Sequence, residues 1–179
     1  MAHDVDSIIH AFIKRKLEQG EIIIIDKVLQ ECGYFQQGLV LKNIDYLRDE
    51  SYLKNAGFIH KTDGLLAPDH RKFLEMVNNE FKNKGYINSK KLTPTDIEAQ
   101  KKKFLDGADV AQIILCLNLK QSNDICLITE ESGQANDLKC FHKIPTICDY
   151  LDIKTHPIPW LITHYGINVK YQEQIRATI

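Results

Sequence analysis

Two short runs in the chain are apolar at every position, and they constrain the fold more than any other feature. They are residues 22–25, four consecutive isoleucines, and residues 125–129, which read ICLIT. Branched apolar residues favour strands, and successive side chains of a strand point to opposite faces of its sheet. A strand without a polar face must be buried on both sides, as the strands of parallel sheets are. The two runs therefore predict a parallel sheet covered by helices.

Segments with helical spacing surround these runs. The predicted helices cover residues 7–19, 26–35, 38–53, 67–83, a segment opening at Thr93 and Pro94, and residues 108–119, 144–151 and 159–166. Residues 152–158 can form a third strand. Apolar strands alternating with helices are typical of βαβ units. At 179 residues the chain is expected to form one domain.

Composition and charge exclude several classes of protein. No apolar run reaches the roughly 18 residues of a membrane helix, and the first residues lack the pattern of a secretory signal. The five cysteines form no CxxC pair, which favours a reduced, cytoplasmic protein. The net charge of −1 argues against a protein that coats nucleic acid. Seven lysines nevertheless lie between residues 82 and 103, either on a solvated helix face or on a rim that faces phosphates; Lys101, Lys102 and Lys103 are consecutive.

Acidic residues gather where the predicted strands end and the buried helix begins. Asp26 and Glu31 follow the first strand, Glu130 and Glu131 follow the second, and Asp106 and Asp109 open the apolar helix at residues 108–119. Ligands of parallel sheets bind at the carboxyl ends of the strands, so these acids are expected to converge. Carboxylates in such a cluster repel one another unless a hard cation such as Mg²⁺ or Mn²⁺ neutralises them. The alternative is that each acid caps a helix or lies in solvent.

The sequence gives weaker evidence for other kinds of functional site. Cys140, His142, Cys148 and His156 match no standard zinc spacing, and no glycine-rich phosphate loop or local signature of a cysteine–histidine hydrolase occurs. Trp160 is expected to belong to the core rather than to stack on a nucleic-acid base.

The order of motifs in the second half resembles the PIN-like nuclease domains, in particular a bacterial branch associated with toxin–antitoxin genes. The matching pattern comprises Gly107-Ala108-Asp109, an apolar helix, the apolar strand ending in Thr129-Glu130-Glu131, and Lys143-Ile144-Pro145. Residues 17–31 resemble the family's helix, glycine, strand and helix. The resemblance covers roughly residues 7–50 and 100–167, with residues 38–104 as a helical insertion and 167–179 as a C-terminal tail.

The resemblance implies a three-layer α/β/α sandwich with a central parallel sheet. It also implies an endoribonuclease in which one or two Mg²⁺ or Mn²⁺ ions activate water to hydrolyse RNA. By position, Glu31, Asp109 and Glu131 would be the catalytic and metal-binding acids. Asp26, Asp106, Thr129 and Glu130 would be neighbouring or substitute ligands, and Lys101, Lys102 and Lys103 would contact RNA. RNA, an antitoxin protein and a second copy of the chain are the candidate partners, and no membrane is expected.

One element of the family pattern is missing. These domains begin with a central strand that ends in an aspartate, whereas this chain begins MAHDVDSIIHAF. The chain is then a truncated product, or another segment such as residues 167–172 fills the place of the strand, or the protein is an inactive copy. The rival to the nuclease is thus a PIN-like scaffold or partner-binding protein with an incomplete metal site.

Overall fold

The structure, a computed structural model, describes residues 5–34, 44–54, 57–133 and 138–166. Within these ranges the chain is a mixed α/β protein, mostly helical, with short parallel strands. In chain order the elements are α1 (Val5–Glu18), β1 (Ile24–Ile25), α2 (Asp26–Tyr34), α3 (Glu50–Lys54), β2 (Ile59–His60), α4 (His70–Asn79), α5 (Lys84–Lys90), α6 (Pro94–Asp106), α7 (Ala108–Leu119), β3 (Cys126–Ile128), α8 (Ile144–Tyr150), β4 (Lys154–His156) and α9 (Ile158–His164), with a 3₁₀ turn at Asp45–Leu47.

The strands form two parallel pairs. β1 pairs with β2, with Ile24 opposite Ile59, and β3 pairs with β4, with Leu127 opposite Thr155. The predicted parallel pairing is therefore confirmed. The expectation that the isoleucine run is buried on both faces is only partly right: Ile25 is buried, but Ile23 is 36% exposed. Ile23 lies just before β1, which comprises only Ile24 and Ile25, so it is outside the paired strand.

Helix α7 joins the two pairs, which explains why it is apolar nearly all round. Its residues Val110, Ile113 and Ile114 belong to the cluster that contains Leu127 of β3. On another face, Ala111 and Leu115 pack with Ile25 of β1. The predicted burial of this helix is confirmed, and its first residues are held between β1 and β3.

A long-range connection fixes the loop before α8. Asn83 donates its backbone N–H to the carbonyl of Cys140 at 2.9 Å, and His142 donates to the carbonyl of Phe81 at the same distance. Phe81 and Cys148 are fully buried in the same cluster. The segment between α4 and α5 therefore holds the approach to α8 in place.

Several sequence predictions need correction. The part of the predicted helix at 38–53 that the structure describes is interrupted, because the carboxylate of Asp49 accepts the N–H groups of Ser51 and Tyr52 and starts α3 there. Helix α4 starts after Pro68, with Asp69 as its N-cap, and Gly85 lies inside α5 rather than ending α4. The segment assigned as a helical insertion, residues 38–104, also contains β2.

Two remaining expectations concern the C-terminal tail and membrane helices. The tail at 167–179, with its predicted strand, lies outside the described residues. None of the helices in the described ranges combines the length and the apolar character needed to cross a membrane.

Candidate active site

Three acids from distant parts of the chain interact electrostatically around the start of α7. Asp109 lies in the first turn of this helix, Glu31 in α2, and Glu131 three residues beyond the end of β3. Glu131 and Glu31 both act electrostatically on Asp109. The three acids that the resemblance selected are therefore within electrostatic range of one another through Asp109.

The surroundings of Asp109 disfavour its charged form. Loss of water contact is the largest contribution and raises the pKa of its carboxyl, although the side chain keeps an exposed surface. The negative charges of Glu131 and Glu31 raise this pKa further, while the ammonium of Lys139 lowers it. A cation added beside Asp109 would relieve the same repulsion.

Glu131 serves two structural contacts. Its Oε2 accepts the backbone N–H of Ile144, the first residue of α8, at 3.2 Å, and its Oε1 lies 3.9 Å from Nζ of Lys139. Its own N–H donates to the hydroxyl of Thr129 at 3.1 Å. Thr129 therefore orients the turn that carries Glu131, and the carboxylate remains 31% exposed.

The carboxylate of Glu130 contacts a different helix, α9. Its Oε1 accepts the N–H of Ile158 at 2.8 Å, at the start of α9. The adjacent acids Glu130 and Glu131 therefore satisfy the first N–H groups of two separate helices, which is the capping role.

The carboxylate of Asp26 forms hydrogen bonds with Thr62, a partner that the sequence did not suggest. Its Oδ1 accepts the hydroxyl of Thr62 at 2.7 Å and the N–H of Lys27 at 2.8 Å, and both carboxylate oxygens lie 3.2 Å from the N–H of Thr62. Burial acts to raise the pKa of Asp26, but the hydrogen bonds from Thr62 and Lys27 outweigh it, and the net pKa is lowered. Asp26 thus ties β1 to the segment after β2.

The remaining predicted residues lie on or beside α6. Asp106 ends this helix, and its backbone carbonyl, rather than its carboxylate, accepts Nζ of Lys27 at 2.8 Å. Lys101 lies 3.4 Å from Glu98 and is only 18% exposed. Lys102 and Lys103 are exposed. Two of the three lysines are therefore accessible to a ligand.

The acids do not assemble into a ready metal site. Across the described ranges, no group of three or more histidine, cysteine, aspartate or glutamate residues is arranged to hold an ion. Glu31, Asp109 and Glu131 interact through their charges without forming such a group. The same finding covers Cys140, His142, Cys148 and His156, and all five cysteines are unpaired.

Sequence reasoning missed Lys139 and Thr62. Lys139 is the cation beside the acids, whereas the resemblance pointed to Lys143. Its position in a polar segment gave no signal, because its contact with Glu131 depends on the folded structure. Thr62 is 7% exposed and follows β2, a two-residue strand without an apolar run.

Comparisons with known proteins add no family to this geometry. No protein-family model matches the chain, and neither the search of curated proteins nor the search of solved structures found a match.

Proposed function

We propose that the chain is a PIN-like endoribonuclease that hydrolyses RNA with Mg²⁺ or Mn²⁺ as its cofactor. The observation that carries this proposal is that Glu31 and Glu131, from distant parts of the chain, both act electrostatically on Asp109 at the start of the buried helix α7. An acid whose charge is opposed by other acids is not expected in a purely structural role, because the repulsion opposes folding. Functional sites are where such costs are commonly found.

The proposal includes the three-layer α/β/α sandwich of that family. Two parallel strand pairs packed on α7 are consistent with it, and so is the position of the acids, which follow β1 and β3 in the chain. We further propose that the protein acts in the bacterial cytoplasm as the toxin of a toxin–antitoxin pair, with an antitoxin protein as its partner. The proposal extends to a homodimer as its working state.

A specific observation favours the second candidate, a PIN-like scaffold without catalysis. Lys139 already supplies a positive charge 3.9 Å from Glu131, and Glu131 and Glu130 both accept helix N–H groups. Together with the lack of an assembled group of metal ligands in the described ranges, these contacts give the acids a purely structural use.

An RNA cleavage assay with Mn²⁺ or Mg²⁺ separates the two candidates. We expect the wild type to cleave, and Asp109→Asn to lose more than about 100-fold in rate, because even an outer-shell partner of a metal is worth ~10–100-fold. The matched control is Asp149→Asn, which changes an exposed acid on α8 and should cleave normally. A wild type that cleaves with neither ion, or an Asp109→Asn variant that cleaves equally well, would leave the scaffold as the function.

A further inference from the structure

Three aromatic rings stack in a row along α9. The imidazole of His156 lies 3.7 Å from the indole of Trp160, between ring centroids, with 9° between the two planes. The indole in turn lies 4.6 Å from the imidazole of His164, with 16° between the planes. Positions 156, 160 and 164 are four apart, the spacing that places side chains on one side of a helix. His156, Trp160 and His164 therefore form an aromatic ladder.

The surroundings of Trp160 differ from those expected from the sequence, which placed it in the core. Its side chain is half-buried. Within the described ranges, none of the clusters of buried apolar side chains includes it. The aromatic ladder is therefore separate from the packing that holds the strand pairs on α7.

One end of the aromatic ladder adjoins the turn that carries the acids. The N–H of Thr129 donates to the carbonyl of His156 at 2.9 Å, and Oε1 of Glu130 accepts the N–H of Ile158 at 2.8 Å. Both contacts come from residues next to or near Glu131. Helix α9 has seven residues, so at 1.5 Å per residue it is about 10 Å long. A single strand of RNA with a phosphate at the acids could therefore reach the far end of the ladder within a few nucleotides.

The far end of the aromatic ladder is accessible. His164 is exposed, and it lines a cavity of about 640 Å³ together with Ile25 of β1 and Leu115 of α7. The ring of Tyr165 lies 5.3 Å from that of His164, but the two planes are almost perpendicular, at 83°. Tyr165 therefore contacts His164 without stacking on it, and a planar ligand has room to stack there.

We propose that His164 is a binding site for an unpaired base of RNA, which stacks on the imidazole and extends the aromatic ladder by one ring. Stacking on aromatic side chains, histidine included, is the usual way in which proteins hold the bases of single-stranded RNA. This inference rests on the proposed function for the identity of its ligand. It adds the residue that grips a base beside the acids.

Binding in EDTA, without divalent ions and therefore without cleavage, tests this site. Fluorescence anisotropy compares a short single-stranded oligouridylate with an abasic oligomer of the same length, which keeps the phosphates and lacks the bases. The wild type should bind the oligouridylate about fivefold or more tightly than the abasic oligomer. His164→Ala should bind both oligomers alike, whereas His164→Phe, which keeps an aromatic ring, should retain the preference. The matched control is His70→Ala, which removes an exposed histidine on α4 and should behave as the wild type.

The fluorescence of Trp160 gives a second readout at the site itself. It is the only tryptophan in the chain, so the intrinsic signal reports on the aromatic ladder. The oligouridylate should change this fluorescence in the wild type, and the abasic oligomer should not.

The salt dependence of binding separates a stacked base from a phosphate contact. A ring that stacks on a base neutralises no phosphate, so His164→Ala should weaken binding of the oligouridylate equally at every salt concentration. The slope of log K against log salt should stay the same.

Four results would overturn the proposal. They are a wild type that binds the two oligomers equally or not at all, a preference that survives in His164→Ala, a His164→Phe variant that behaves as His164→Ala does, and a flatter salt slope in His164→Ala, which would make His164 a phosphate contact. A chain that cleaves RNA but shows no base preference would lose this site and keep the nuclease. A chain that shows the preference but cleaves nothing would keep the site and lose the nuclease.

Discussion

At the scale of single residues, the acids of this protein divide into two groups with opposite electrostatics. Asp26 is held by donors that favour its charge, so its pKa is lowered. Asp109 loses water contact and faces other acids, so its pKa is raised. Carboxylates with a structural role normally have a lowered pKa, as Asp26 does. Carboxylates with a raised pKa, such as Asp109, are enriched at sites that bind a ligand or carry out chemistry.

Asp109→Asn is expected to stabilise the protein in the absence of divalent ions. Because the folded pKa of Asp109 is raised, the wild type loses stability as pH rises from about 3.9, the unfolded pKa, through the folded pKa. At pH 7 the variant should therefore have a higher Tm than the wild type, by about 2 °C or less because solvent screens the exposed carboxylate. Below about pH 3.9 the two proteins should have the same Tm. Thermal melts across pH measure this.

The same thermal melts with a divalent ion added test whether Asp109 binds metal. Mn²⁺ should raise the Tm of the wild type and leave that of Asp109→Asn unchanged, because a ligand stabilises only the fold that binds it. Equal shifts in the two proteins would show that any ion binds elsewhere.

The contact between Asp26 and Thr62 is expected to stabilise the fold at neutral pH. Asp26→Ala should cost about 2–3 kcal/mol, because it removes a charged acceptor and leaves Thr62 buried without one. With a lowered folded pKa, this contribution is present above about pH 3.9 and is lost as pH falls through the folded pKa.

A double-mutant cycle with Thr62→Val, followed by urea unfolding, isolates the interaction. We expect a coupling of about 1–2 kcal/mol, and a change of less than ~0.5 kcal/mol for Asp63→Ala, an exposed neighbour. Additive effects of the two substitutions would mean that the contact contributes nothing of its own.

At the scale of elements, helix boundaries governed by local hydrogen bonds were the easiest to predict. Thr93 and Asp96 form a reciprocal capping box at the start of α6, with Pro94 at the first helical position. Both partners lie within four residues, so the signal is contained in the sequence. The caps of α8 and α9 could not be predicted, because Glu131 and Glu130 lie 13 and 28 residues before the N–H groups that they accept.

Thr93→Ala is expected to destabilise α6 by about 1 kcal/mol, since it removes the acceptor for the N–H of Asp96 at 3.2 Å. Thr93→Ser keeps the hydroxyl and should unfold at nearly the same urea concentration as the wild type. If serine and alanine destabilise the protein equally, the methyl group rather than the cap accounts for the loss.

At the scale of the whole molecule, the sequence predicted the parallel strands and the buried central helix but not how the strand pairs are arranged. The isoleucine run indicated a strand buried on both faces, whereas Ile25 of β1 is buried and the preceding Ile23 is 36% exposed. Strand β2 escaped prediction because two residues, Ile59 and His60, carry no periodicity. The parallel topology predicted that Glu31, Asp109 and Glu131 lie near one another, and Glu31 and Glu131 do act electrostatically on Asp109, whereas nothing in the sequence indicated the counter-charge of Lys139.

The positions of two exposed lysines lead to a prediction about RNA binding. Lys102 and Lys103 are exposed near the end of α6, and Asp109 follows in the first turn of the next helix. If both lysines contact phosphates of a single strand, each contributes about 0.7 to the slope of log K against log salt. The double reversal to glutamate should therefore weaken RNA binding and flatten that slope by about 1.4.

Fluorescence anisotropy with a single-stranded RNA over a range of salt concentrations measures the effect on the uncut complex, using the Asp109→Asn background to prevent cleavage. Lys72→Glu changes an exposed lysine on α4 and should leave the slope nearly unchanged. Lys101→Glu is a poorer probe, since Lys101 already pairs with Glu98. An unchanged slope after reversal of Lys102 and Lys103 would return both side chains to the solvated face of α6, and the RNA-binding surface would then have to involve other residues.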